Sequence, residues 1–158
     1  MSELDDLYQT LILDHNRSPR NFHDMGNSTG HAEGRNPLCG DVFDVWVDLK
    51  DGIISDVSFL GQGCAISKAS ASMMTTTIKG KTVAEATALF RRFHQMVTGT
   101  GTAEETTRKE ARQALGCLSA FAGVSAFPIR VKCATLAWHA VMKALDESTE
   151  AGQRAGQS

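Results

Sequence analysis

"FDVWVDLKDGIISDVSF", residues 43–59, decides the fold. Phe43, Val45, Val47 and Leu49 alternate with Asp44, Trp46 and Asp48. That period of two turns one face of a strand to a core and the other to water. Asp51-Gly52 interrupts the run, and Ile53, Val57 and Phe59 resume it. A D-G pair between two alternating runs signals a β-hairpin, because both turn residues must take positive φ.

Helical periodicity lies on either side of the hairpin. Leu4, Leu7, Tyr8, Leu11 and Ile12 form an amphipathic stripe that ends before Pro19. The polar, glycine-dotted residues 18–36 leave room for one short edge strand near 29–34. After the hairpin, Gly61-Gln62-Gly63 ends the strand and Cys64 opens an Ala/Ser-rich helix. The Thr75-Thr76-Thr77 run is poor helix material and obscures that helix's end. Thr82 and Glu85 make a capping box, followed by Val83, Ala86, Phe90, Phe93 and Val97 at helical spacing. Thr102 and Glu105 cap a further helix to about residue 115, and a loop containing Pro128 leads to a last helix from about Cys133 to Leu145. These elements predict an α+β fold in one domain, residues 1–147, with residues 148–158 as a disordered tail.

Composition narrows the function classes. The chain has 158 residues, enough for one domain with a real core. Its net charge of −2 gives no reason to expect nucleic acid or an anionic membrane as partner. No apolar run approaches the roughly 18 residues of a membrane span. The acidic start, Met-Ser-Glu-Leu-Asp-Asp, does not resemble a secretory signal, so a cytoplasmic location is expected. In a reducing compartment, cysteines serve as metal ligands, catalytic groups or small buried hydrophobes rather than disulfides.

The four cysteines stand at 39, 64, 117 and 133, with no C-x-x-C pair. Cys39 enters the hairpin and Cys64 leaves it, and neighbouring ends of antiparallel strands lie side by side. Cys39, Asp41 and Cys64 can therefore converge. Cys64 and Cys133 are expected at helix N-termini, where anions are favoured. Three thiolates and a carboxylate make a four-ligand set for Zn²⁺ and leave a formal charge of about −2. Arg130 and Lys132 stand close in sequence to offset that charge. Each residue also has a plainer role. The cysteines can be core residues, Asp41 can close a turn, Gly61 and Gly63 can mark a bulge, and Arg130 and Lys132 can be solvated surface charges. Cys117, among apolar neighbours, reads as packing, and His139, six residues past Cys133, points away from it. His15, His23, His31 and His94 lie in no metal spacing and read as exposed or capping residues.

The motifs "NPLCGD" (36–41), "GQGCAIS" (61–67) and "FPIRVKCATLAWHA" (127–140), with "LYQTLILDHNRSPRNF" (7–22), closely resemble the SufU branch of the IscU-like iron–sulfur cluster assembly proteins. The resemblance implies a three-stranded antiparallel sheet with helices packed over it. It implies Cys39, Asp41, Cys64 and Cys133 as the metal ligands. Scaffold members of the IscU type carry a His immediately before the third ligand cysteine, where this chain has Lys132. An ammonium cannot donate a lone pair to iron at neutral pH. This departure, with a longer stretch between Cys64 and Cys133, favours the sulfur-acceptor branch. The branch implies a zinc-dependent sulfurtransferase, co-substrate and activator of a pyridoxal-phosphate-dependent cysteine desulfurase of the SufS type. Cys39 would accept persulfide sulfur and pass it towards a downstream iron–sulfur scaffold, with Arg130 orienting the partner or the freed thiolate. The alternative is an IscU-type scaffold that holds iron or an Fe–S cluster itself.

Overall fold

The structure is a computed structural model that describes residues 3–26, 28–36, 40–98, 118, 120, 121, 124 and 127–157. Cys39, Cys117 and the helix expected over 102–115 lie outside the described residues.

Three strands, β1 (Gly30–Asn36), β2 (Asp41–Lys50) and β3 (Ile53–Gln62), form one antiparallel sheet in the order β1-β2-β3. Asp51 (φ 54°) and Gly52 (φ 79°) make the positive-φ turn that the D-G pair requires. Phe43, Val45 and Val47 are fully buried, whereas Asp44, Trp46 and Asp48 are partly exposed. One detail of the hairpin differs from the sequence reading. Ile54 is buried and Ile53 is exposed, because Val47 pairs with Val57 but Leu49 pairs with Ile54. The extra β3 residue between those pairs is a bulge that shifts the alternation by one.

Four helices lie among the described residues: α1 (Glu3–Arg17), α2 (Ala65–Ile78), α3 (Val83–Thr98) and α4 (Pro128–Gln157). Helix α4 crosses the buried face of the sheet against β1 and β2, with α2 beside it, α1 outside α2 and α3 against α4. The approach to β1 is close enough that a Cβ on Gly30 would come within 2.0 Å of the Ala144 carbonyl oxygen. Phe90 and Phe93 stack on Trp138, joining α3 to α4. Among the described residues, no helix is long and apolar enough to cross a membrane.

Local chemistry accounts for the helix ends. Glu85 N–H donates to Thr82 Oγ1 (3.1 Å) and Thr82 N–H to Glu85 Oε1 (3.2 Å), so the capping box forms as the sequence indicates. The threonine run stays helical to Ile78 because Met73, Met74, Thr75 and Ile78 are buried there, and Thr75, Thr76 and Thr77 satisfy their hydroxyls on carbonyls one turn back. The last helix begins at Pro128, not near Cys133. Proline has no N–H to satisfy and its φ is pre-set, so it starts the helix rather than preceding it. The helix also passes the boundary expected at residue 147. Ser148 is buried, and its Oγ donates to Thr29 Oγ1 at 2.6 Å.

His15 is likewise not the exposed residue the sequence suggests. It is 7% exposed, and its Nδ1 lies 2.7 Å from Ser72 Oγ, which also accepts the Arg20 N–H at 2.8 Å. This contact pins α1 to α2. Burial, then the nearby Arg20 charge, hold the imidazole pKa below its usual 6.5. A base whose folded pKa is depressed stabilises the fold fully above its unfolded pKa, and that stability is lost as pH falls towards the folded value. Melting curves from about pH 8 to pH 5 should therefore show a decline below 6.5 that His15→Gln flattens. An equally steep decline in the variant would remove His15 as its source.

Candidate metal centre

One end of the sheet gathers three ligand-bearing side chains. Val42 pairs with Gln62 in the last register step of the hairpin, so Asp41 lies beside the chain leaving β3. Cys64 follows two residues later as the N-cap of α2, in extended conformation (φ −70°, ψ 169°). Cys133 reaches the same point from α4, which crosses above. Ligand atoms of Asp41, Cys64 and Cys133 all lie within 4.8 Å of one another.

Burial and hydrogen bonding differ among the three. Asp41 is fully buried, Cys133 is 3% exposed and Cys64 is exposed. Asp41 Oδ1 accepts the Cys64 backbone N–H at 3.1 Å. Oδ2 is buried with no hydrogen-bond partner among the described residues. A carboxylate oxygen withdrawn from water without a partner is costly, and a bound cation is the usual remedy. Two sulfurs and a carboxylate oxygen suit a borderline-soft divalent ion such as Zn²⁺. The donor set fits a metal.

The other expected residues that the structure describes make contacts of their own. Cys133 is in the second turn of α4, so a helix-dipole argument applies to Cys64 but not to Cys133. The Arg130 guanidinium lies over the Phe127 ring, 4.6 Å from its centroid. Lys132 is exposed and lines a shallow cleft of about 210 Å³ with Arg35, Asn36, Thr135, Leu136 and His139. His139 packs edge-on to Phe90 and is not one of the three grouped residues.

Two supporting residues escaped the sequence reading. A Cβ on Gly63 would lie 2.6 Å from Ser67 Oγ and 2.7 Å from Asp41 Oδ1. The glycine leaves the space that the carboxylate and hydroxyl occupy. Its position immediately before Cys64 was the available signal, but a strand exit explains a glycine there equally well. Gly63→Ala must displace the Asp41 carboxylate, so zinc affinity measured by chelator competition should fall by about 10–100-fold with the fold intact. An unchanged affinity would mean that Asp41 is not held by this contact.

The NifU-like N-terminal domain model matches residues 7–134. The chain is 40% identical over 151 residues to an iron–sulfur cluster assembly scaffold protein IscU of Streptococcus pyogenes serotype M1, covering 96% of this chain and 90% of that one. It is 41% identical over 144 residues to the zinc-dependent sulfurtransferase SufU of Bacillus subtilis, covering 90% and 91%. A crystal structure from Fervidobacterium islandicum AW-1, named as a candidate iron–sulfur cluster assembly scaffold protein for the SUF system, superposes with a TM-score of 0.77. It is 31% identical, and the match covers 92% of this chain and 96% of that one.

Proposed function

This chain belongs to the NifU-like N-terminal domain family of iron–sulfur cluster assembly proteins, and from that premise we propose that it is a zinc-dependent sulfurtransferase rather than a cluster scaffold. It takes persulfide sulfur from a cysteine desulfurase on Cys39 and passes it on towards cluster assembly. The observation that carries the choice is Lys132, immediately before Cys133, where scaffold members have a histidine. A protonated amine offers no lone pair to iron.

In this reading Cys39, Asp41, Cys64 and Cys133 hold Zn²⁺. Bound, the ion keeps the thiolates deprotonated and blunts their nucleophilicity. Asp41 is anchored through Oδ1 to the Cys64 N–H, and Cys133 by the packing of α4. Cys39 stands two residues before Asp41, and two residues of chain span no more than about 7 Å. The Cys39 thiolate would attack the terminal sulfur of the desulfurase persulfide. The enzyme's S–S bond breaks, its cysteine leaves as a thiolate, and Cys39 carries the persulfide with no net redox change. Arg130, held over the exposed Phe127, supplies a cation to the incoming partner.

The competing reading, an iron–sulfur scaffold, draws on the streptococcal relative, which is named as one and is almost equally similar. Metal analysis and one assay separate the two. Purified protein is added to a pyridoxal-phosphate-dependent cysteine desulfurase with cysteine and a reductant. Tightly bound zinc and a strong rise in sulfide output support the relay. A stable, transferable cluster in the isolated protein, with no effect on the desulfurase, establishes the scaffold instead.

A further inference from the structure

Cys64 is exposed and stands at the N-cap of α2, so its sulfur can be reached from solvent. Cys133 is buried in the second turn of α4. If sulfur is to reach Cys39, a neighbouring thiolate as accessible as Cys64 has to be restrained.

Ser67 is placed to do so. It is 1% exposed, and its Oγ donates to the Cys64 carbonyl at 3.0 Å while lying 3.5 Å from Cys64 Sγ. The same carbonyl also accepts the Lys68 N–H at 3.1 Å, so it keeps a partner if the Ser67 proton turns away. A thiol can supply its own proton to the Oγ···Sγ contact. A thiolate has none, and the Ser67 hydroxyl then holds the only proton between the two atoms. A Cβ at Gly63 would come within 2.6 Å of Ser67 Oγ, so the glycine leaves that hydroxyl its room.

We propose that Ser67 is a positioning residue for Cys64, whose hydroxyl turns from the Cys64 carbonyl to the metal-held thiolate and lowers its nucleophilicity. The hydrogen bond draws on the sulfur lone pair, so Cys64 is the poorer nucleophile while Cys39 reacts. The inference rests on the sulfur-acceptor reading for its purpose but not for its test.

The test uses the full chain without desulfurase, loaded with Co²⁺ for spectroscopy or with Zn²⁺ for labelling by iodoacetamide and peptide mapping. In Ser67→Ala the sulfur-to-cobalt charge-transfer band should move to longer wavelength, because the thiolate lone pair rises in energy. Alkylation of Cys64 should speed up by about 3- to 10-fold, the rate equivalent of one hydrogen bond. A hydroxyl that only caps the first turn of α2 would lower the Tm and leave both readouts unchanged, and that result overturns the proposal. Failure of Cys39 as acceptor would instead appear in the desulfurase assay, with the cobalt band and the Cys64 labelling still responding to Ser67→Ala.

Discussion

Cys39→Ala should return the sulfide output of a cysteine desulfurase to the level it shows with no added partner, a loss on the order of 10²-fold or more in the stimulated rate. A missing nucleophile has no substitute within the site. Cys133 is buried, and Cys64 is tied through its backbone to Asp41 Oδ1 and through its sulfur to Ser67. The remaining cysteine, Cys117, is not among the proposed ligands, so Cys117→Ala serves as the control and should keep full stimulation. The variant also separates acceptance of sulfur from metal binding. Asp41, Cys64 and Cys133 remain and should still bind zinc, more weakly than four ligands do. A Cys39→Ala protein that bound zinc and stimulated the desulfurase normally would move the acceptor role to another cysteine.

What could be read from the sequence was what is encoded locally. The alternation of Phe43, Val45 and Val47 and the Asp51-Gly52 turn specify a hairpin without reference to the rest of the chain. That hairpin brings Asp41 beside Cys64, because antiparallel pairing leaves no other place for the two strand ends. The readings that failed depend on non-local contacts or on a one-residue choice. Ile53 and Ile54 are both apolar, and only a bulge in the pairing decides which is buried. His15 looks like a surface residue until Ser72, 57 positions away, is placed against it. Pro128 can precede a helix or begin one, and that ambiguity moved Cys133 from a helix end into its second turn. Gly63 and Ser67 have ordinary local explanations, and their link to Asp41 and Cys64 requires three dimensions.

Asp41→Asn should raise the thermal stability of the metal-free protein while removing most of the stabilisation that zinc confers. A fully buried carboxylate with one oxygen unpartnered is a strained arrangement unless a cation meets it. Asparagine keeps the shape and can still accept the Cys64 N–H, but it carries no charge to desolvate. In chelator the variant should gain about 1–3 kcal/mol over the parent chain, because an amide buried where Oδ2 stood costs less to desolvate than an ionised carboxylate does. With zinc at about a thousand times its Kd, the parent should melt roughly 8–16 °C higher than its metal-free form. The variant should show a small fraction of that rise, because a neutral amide is a poor ligand beside two thiolates. Two melting curves per protein, with zinc and with chelator, decide the matter. If the metal-free variant were less stable than the parent, Asp41 would serve the fold rather than the ion. A gain without metal and a loss with it would mean that residue 41 sacrifices stability to keep an oxygen ready for a cation, as a residue placed for function does.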